Sequence, residues 1–167
     1  MMRWLRALLS SPQRLATLRG LGWIGPFAAR RELWRFERRR VAVGLAIGAF
    51  FGIMLPLGQA LPAAAMAIIV RANLPAAVLG TFVSNPLTIA PLYAAAYATG
   101  AALLGLPLAL PAEGLAEVGK PLLLGATLLA LAVAAAAWLM VEALWRFAAH
   151  RRAARWSSIR NIKGEAS

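Results

Sequence analysis

From Val41 to Trp145 the chain runs for 105 residues with five formal charges, Arg71, Glu113, Glu117, Lys120 and Glu142. A charge at the centre of a spanning helix costs on the order of 3 kcal/mol or more. A run this long and this bare therefore suits lipid and would make a poor water-facing surface. Arginine-loaded segments border it on both sides. Residues 1–40 hold ten Arg and two Glu, a net +8, and residues 146–167 hold five Arg, one Lys and one Glu, a net +5. The middle sums to −1.

This layout divides the chain into a basic N-terminal segment (1–40), a membrane domain (41–145) and a basic tail (146–167). Basic residues beside apolar spans follow the positive-inside rule, which puts both termini in the cytoplasm and makes the chain a multi-pass membrane protein. A net charge of +12 on a soluble domain would raise nucleic acid as a partner. Here the charge skirts apolar segments, so the expected partners are membrane lipids with anionic headgroups, not nucleic acid. Arg3, Arg6, Arg14 and Arg19 interrupt the first apolar stretch, so no cleaved signal peptide is expected. The chain has no Cys and no Asp, and His150 is the only histidine. No disulfide, metal site, cofactor or catalytic acid–base pair is expected from that inventory.

The N-terminal segment reads as amphipathic. Trp4, Leu5, Leu8 and Leu9 share one side of a short helix. After Pro26, Leu33 and Phe36 are spaced i,i+3 against Arg31, Arg35, Arg38 and Arg39, which predicts an interfacial helix. Residues 41–70 are apolar but broken at Pro56, Gly58, Gln59 and Pro62. Each half is about fifteen residues, ~22 Å of helix, short of a hydrocarbon core of ~30 Å. The segment is thus either one kinked crossing or a re-entrant hairpin. Residues 74–106 repeat the plan, with Leu74–Val83 before the break Ser84-Asn85-Pro86-Leu87-Thr88 and a longer half containing Pro91. Gly52, Pro56 and Pro62 are weakly echoed by Gly80, Pro86 and Pro91.

Residues 107–120 lack arginine and read as an outer loop, and Leu122–Leu144 reads as a plain spanning helix anchored by Trp138 and Trp145. Glu142 is spaced to pair with Arg146 one turn on. With 107–120 outside and both ends inside, an odd number of crossings lies between Arg40 and Pro107. Either 41–70 re-enters and 74–106 crosses, or the reverse. Arg71, on the arginine-rich side only in the first arrangement, points to the first. The fold class expected is an all-α integral membrane protein with two Pro/Gly-broken hairpin or re-entrant segments, one plain transmembrane helix and an N-terminal interfacial helix.

Pro86 and Pro91 free backbone carbonyls, which must be buried in protein or face a wet cavity at membrane depth. Ser84, Asn85 and Thr88 can cap the half-helix that follows. The same half-helix start carries partial positive charge and can face an anionic group such as a lipid phosphate, with Tyr93 and Tyr97 one turn apart beside it. Gln59 in the first break needs polar partners, either Asn85 or Thr88 in the second break or local carbonyls freed by Pro62. Arg71 with Asn73 either holds a phosphate headgroup or ends a helix by snorkelling. Gly44, Gly48 and Gly52 form a G-x-x-x-G-x-x-x-G stripe, for close packing within the chain or for a homo-oligomer.

The string Asn85-Pro86-x-Thr88-x-x-Pro91-x-Tyr93-x-x-x-Tyr97-x-x-Gly100 follows Arg71-Ala72-Asn73-Leu74-Pro75, which in turn follows Gly44, Gly48, Gly52, Pro56 and Gly58. Together they resemble the bacterial membrane family called domain of unknown function 2062, over roughly residues 30–145. The resemblance implies a small inner-membrane protein without an established activity, sometimes joined to other domains, none of which is expected here. Two functional readings follow from the residues. One is transport or translocation of an anionic small molecule or lipid through a site at the paired breaks, formed from Gln59, Ser84, Asn85, Thr88, Tyr93, Tyr97, Arg71 and Asn73. The other is a membrane scaffold packing through the glycine stripe. An enzyme is not expected.

Overall fold

The computed structural model describes residues 30–108 and 115–164. Among them are five α-helices and no strand. They are α1 (Arg38–Met54), α2 (Ala60–Ile69), α3 (Leu74–Gly80), α4 (Ile89–Leu103) and α5 (Leu115–Gly164), with short 3₁₀ turns at Arg31–Trp34 and Thr81–Val83.

α1 ends where its hydrogen bonding must fail. Its last bond runs from the Leu55 N–H to the Phe51 carbonyl at 3.0 Å. The next donor would be Pro56, which has no N–H. Gly58 then takes φ +71°, a left-handed position that suits glycine, and the chain reverses. α2 runs back beside α1, so that Ala64, Ala67 and Ile68 gather with Leu33, Trp34, Val43 and Ile47 into one apolar cluster. A Schellman turn closes α2: Ala72 N–H donates to the Ala67 carbonyl at 2.8 Å and Arg71 N–H to Ile68 at 3.2 Å. Asn73 N–H then donates to the Arg40 carbonyl at 3.0 Å, returning the chain to the start of α1.

α3 runs parallel to α1 with the glycine stripe as the contact. A Cβ on Gly44 would strike the Asn73 carbonyl, one on Gly48 would strike the Ala77 carbonyl, and one on Gly52 would lie 2.8 Å from Val83 Cγ1. Gly80 answers from α3, since a Cβ there would come within 2.9 Å of the Gly48 Cα. The stripe is therefore occupied inside the chain. The break after Val83 brings the chain to α4, which continues beyond the end of α1.

α5 is the spine that both halves share. It lies antiparallel to α1, with Glu142 beside Arg38 at 3.3 Å at one end and Thr127 beside Met54 at 3.8 Å at the other. Further towards its N-terminus it packs on α4, where a Cβ on Gly100 would strike the Pro121 carbonyl and one on Gly125 the Ala96 carbonyl. The segment Val118–Ala149 is long and apolar enough to cross a membrane, with 32 residues and a mean hydropathy of 2.3 in its most apolar window. Only 17% of that window is buried, unlike the core helix of a soluble domain.

Several boundaries differ from the expectation. Residues 1–29 and 109–114 lie outside the described residues, and with them most of the expected interfacial helix and part of the outer loop. Over 30–37 there is a 3₁₀ turn and extended chain in place of an amphipathic helix. Leu33 is buried and Phe36 exposed, so the two do not share a face. α1 starts at Arg38, three residues before the apolar run. α5 starts at Leu115 and takes in Glu117 and Lys120 from the expected outer loop, then Pro121, and it continues without interruption past Trp145. Pro62 and Pro91 are not themselves breaks. They occupy the third positions of α2 and α4, where a missing N–H is one of the helix's unpaired donors in any case.

Candidate functional site

The two breaks meet, and side chains from the second complete the end of α1. Pro56 leaves the Gly52 carbonyl without its helical donor, and the Ser84 hydroxyl supplies one at 2.5 Å. The next free carbonyl, Ile53, accepts from Tyr93 Oη at 2.8 Å. Gln59 closes the junction from the other side. Its Nε2 donates to the Thr81 carbonyl at 3.1 Å and to the Ser84 carbonyl at 3.4 Å. Its Oε1 lies 2.9 Å from Ser84 Oγ. Ser84 has one hydroxyl proton for two acceptors, so the pair retains spare acceptor capacity.

Gln59 therefore finds its partners in the second break, but at Ser84 and Thr81 in place of Asn85 or Thr88. Those two residues serve each other. Asn85 Oδ1 accepts from the N–H groups of Leu87 at 2.9 Å and Thr88 at 3.1 Å, while Thr88 Oγ1 accepts from Asn85 N–H at 2.9 Å. This is a reciprocal pairing in the capping-box pattern, closing the turn over 86–88 that precedes α4. Thr88 Oγ1 also lies 2.9 Å from the Val83 carbonyl, to which it donates. The N–H groups of Leu87 and Thr88, in the turn leading into α4, are thus taken up by Asn85, and an anion could reach them only by displacing it. Tyr97, one turn beyond Tyr93, is buried. Around the polar junction the chain is apolar and open, with Leu57 86% and Leu87 85% exposed.

The second polar cluster lies at the opposite end of α1. Asn73 is fully buried, caps α3 through Ala76 N–H to Oδ1 at 2.8 Å, and donates from Nδ2 to the Arg35 carbonyl at 3.0 Å. Its side chain is engaged by two segments, and its backbone N–H holds a third at Arg40. Arg71 is exposed and sits at φ +56°, the only non-glycine residue with positive φ among those described. That is the C′ position of the Schellman turn, usually glycine, and a side chain there costs on the order of 1 kcal/mol. Arg39, Arg40, Val43, Val70, Arg71 and Ala72 line a depression of about 360 Å³ beside it. Arg40 is bound into the fold, donating to the Glu32 carbonyl at 2.8 Å and pairing with Glu37 at 2.9 Å.

Sequence reasoning missed three features. Glu142 pairs with Arg38 on α1, where Arg146 had been expected, and it is buried. Gly80 and Gly125 are contact glycines as much as the stripe itself. Ala76, Ala77, Gly80 and Thr81 form the small-residue face that a glycine stripe requires, and that signal was available. Arg39 joins Arg71 only through the tertiary fold.

Among the described residues no buried side-chain nitrogen or oxygen lacks a partner. They define an all-helical protein with one helix long and apolar enough to cross a membrane. A family model described as an uncharacterized protein conserved in bacteria, DUF2062, matches residues 21–154, and the chain belongs to that family. No curated protein and no solved structure matches it.

Proposed function

We propose that this chain is a multi-pass protein of the bacterial inner membrane that moves an anionic lipid or small anion past its paired helix breaks. In this reading α1–α2 dips into the membrane from the cytoplasm and returns, α3–α4 crosses once through its break, and α5 crosses back. Asn73 N–H on the Arg40 carbonyl supports the return of α2, since it joins Arg71 to the same end as Arg38–Arg40. The observation that carries the transport reading is the junction of Gln59, Ser84 and Tyr93 with the two freed carbonyls. Polar groups of discontinuous helices meeting within an apolar surface are the usual makings of a transport site. The bonds there are made by hydroxyl and amide side chains, which can exchange partners as a backbone ladder cannot.

The test has two parts. Single Cys at Arg39 and Arg71 should react with a membrane-impermeant thiol reagent from the cytoplasmic side, and Cys at Lys120 from the outside only. Labelling of Arg71→Cys from the outside would remove the re-entrant arrangement. In reconstituted vesicles, movement of a fluorescent anionic lipid should fall at least tenfold in Tyr93→Phe and Ser84→Ala relative to the parent, about 1.4 kcal/mol of barrier. Unchanged movement in folded variants would remove the junction as a transport site.

A scaffold is the second reading. It is favoured by Leu57 and Leu87, which stand exposed one in each break. Its contact surface would be these tips, because α3 occupies the glycine stripe.

A further inference from the structure

The depression between α1 and the α2–α3 turn has the chemistry of a phosphate site. Arg39 and Arg71 converge on it, and neither pairs with a carboxylate among the described residues. Arg40, the third guanidinium in its wall, is held still by Glu37 and the Glu32 carbonyl. Two guanidiniums lining one cavity without a carboxylate partner suit an anion, and a phosphate can accept bidentate bonds from each. The rest of the lining, Val43, Val70 and Ala72, is apolar, and Ile69 beside it on α2 is exposed.

Arg71 occupies the one described turn position where a left-handed φ falls on a residue other than glycine. Glycine would close the Schellman turn with less strain, so the turn does not require arginine there. What an arginine adds at that position is a guanidinium at the edge of the depression. The turn is fixed by Asn73 on Arg40 and Arg35, which keeps Arg71 beside Arg39 without using either guanidinium.

We infer that Arg39 and Arg71 form a binding site for the phosphate of an anionic lipid headgroup, with Val43, Val70 and Ala72 receiving its glycerol and upper acyl portion. The apolar floor selects a lipid over free phosphate, whose surface is polar all round. The site is separate from the junction of the breaks, at the other end of α1. It rests on the membrane reading given above.

The experiment uses the full chain in nanodiscs of phosphatidylcholine with a minor fraction of phosphatidylglycerol, with retained lipid measured by native mass spectrometry. The parent should enrich phosphatidylglycerol. Arg39→Gln with Arg71→Gly should lower that enrichment roughly 10- to 30-fold, the effect of two basic residues near a membrane surface. Arg71→Gly preserves the turn, so circular dichroism and the thermal midpoint should hold, and Arg39→Gln alone should give a partial loss. Arg151→Gln, on the exposed part of α5, should leave enrichment unchanged. An equal loss in Arg151→Gln would mean a diffuse basic field and overturn the site. So would displacement of the lipid by millimolar inorganic phosphate, which would assign the cavity to a free anion. Incorporation into nanodiscs with no headgroup preference overturns this site and leaves the membrane reading standing, whereas failure to incorporate overturns both.

Discussion

Ser84 Oγ lies 2.5 Å from the carbonyl oxygen of Gly52, the acceptor that Pro56 cannot serve. A residue 32 positions on thus repairs a defect that proline makes in α1, and Tyr93, 40 positions beyond Ile53, repairs the next. In water such carbonyls would be solvated at little cost. In a bilayer they would not, so the repair has its full value only there. The Asn85-Pro86-x-Thr88 string in the first place closes the turn that leads into α4, the helix from which Tyr93 reaches Ile53. Any ligand at the junction competes with bonds the fold already makes.

Ser84→Ala removes the donor to Gly52 and the contact to Gln59 together. Leaving a buried acceptor unmet costs about 1–3 kcal/mol, so the variant should unfold earlier in a denaturant series followed by far-UV circular dichroism. Gln59→Leu should also destabilise. The double variant should lose less than the two singles combined, with a coupling of roughly 0.5–1 kcal/mol for groups in one network. Independent effects would mean that the two breaks are not tied through these side chains.

The glycine contacts predict a sharp contrast within one residue type. Gly48→Ala puts a methyl into the Ala77 carbonyl, and Gly100→Ala puts one into the Pro121 carbonyl. Backbone must shift in each, at about 1–3 kcal/mol or more. Gly119→Ala, also on a helix but with nothing within 4 Å, should be neutral or stabilising by up to about 1 kcal/mol. Light scattering in detergent distinguishes the scaffold reading of the stripe. Gly48→Ala should weaken the fold at unchanged oligomeric mass, and a variant that dissociates while staying folded would return the stripe to an intermolecular role.

How much was legible follows from what each signal depends on. Pro56 and Asn85-Pro86 were readable as breaks because each proline's missing N–H coincides with polar or glycine neighbours, Gly58-Gln59 and Ser84-Asn85, that favour a turn. The echo between the two apolar segments was readable too: Pro62 and Pro91 occupy the same third position in α2 and α4. Partner choice was not. Glu142 has Arg146 within reach by spacing, yet pairs with Arg38, 104 positions earlier, because α5 lies antiparallel to α1. Gln59 meets Ser84 in place of Asn85 for a similar reason, since Asn85 is already committed to the turn before α4. The beginning of α5 was hidden by Pro121, which a helix interior normally rejects. There the ring is buried, and the proline's own carbonyl packs on Gly100, so close packing with α4 outweighs the lost bond.

The Arg38–Glu142 pair joins the first turn of α1 to the spine. Glu142 is buried while the Arg38 side chain is about half exposed (47%), so solvent screens part of the attraction. Glu142→Ala should cost about 1–2 kcal/mol, between an exposed pair and a buried one. Glu142→Gln, which keeps the shape and loses the charge, should fall between that variant and the parent. Arg38→Ala in the Glu142→Ala background should add little. Equal effects of Arg38→Ala in both backgrounds, measured by thermal unfolding, would show that the two side chains act separately.

Asn73 is the strictest test of the fold's basic end, because one buried side chain there serves two segments and its own N–H a third. Its Oδ1 caps α3, its Nδ2 holds the Arg35 carbonyl, and its backbone N–H holds Arg40. Asn73→Ala loses a helix cap of about 1 kcal/mol and strands a carbonyl at a further 1–3 kcal/mol, so a loss of roughly 2–4 kcal/mol is expected. Asn73→Ser should recover the cap but not the reach to Arg35, and so about half of that loss. Asn73→Asp keeps the capping acceptor but turns the donor to Arg35 into a second acceptor, and should be no better than alanine despite its stronger capping in open helices. An aspartate variant as stable as the parent would show that the Arg35 contact contributes nothing. The turn that presents Arg71 would then depend on the Schellman bonds alone.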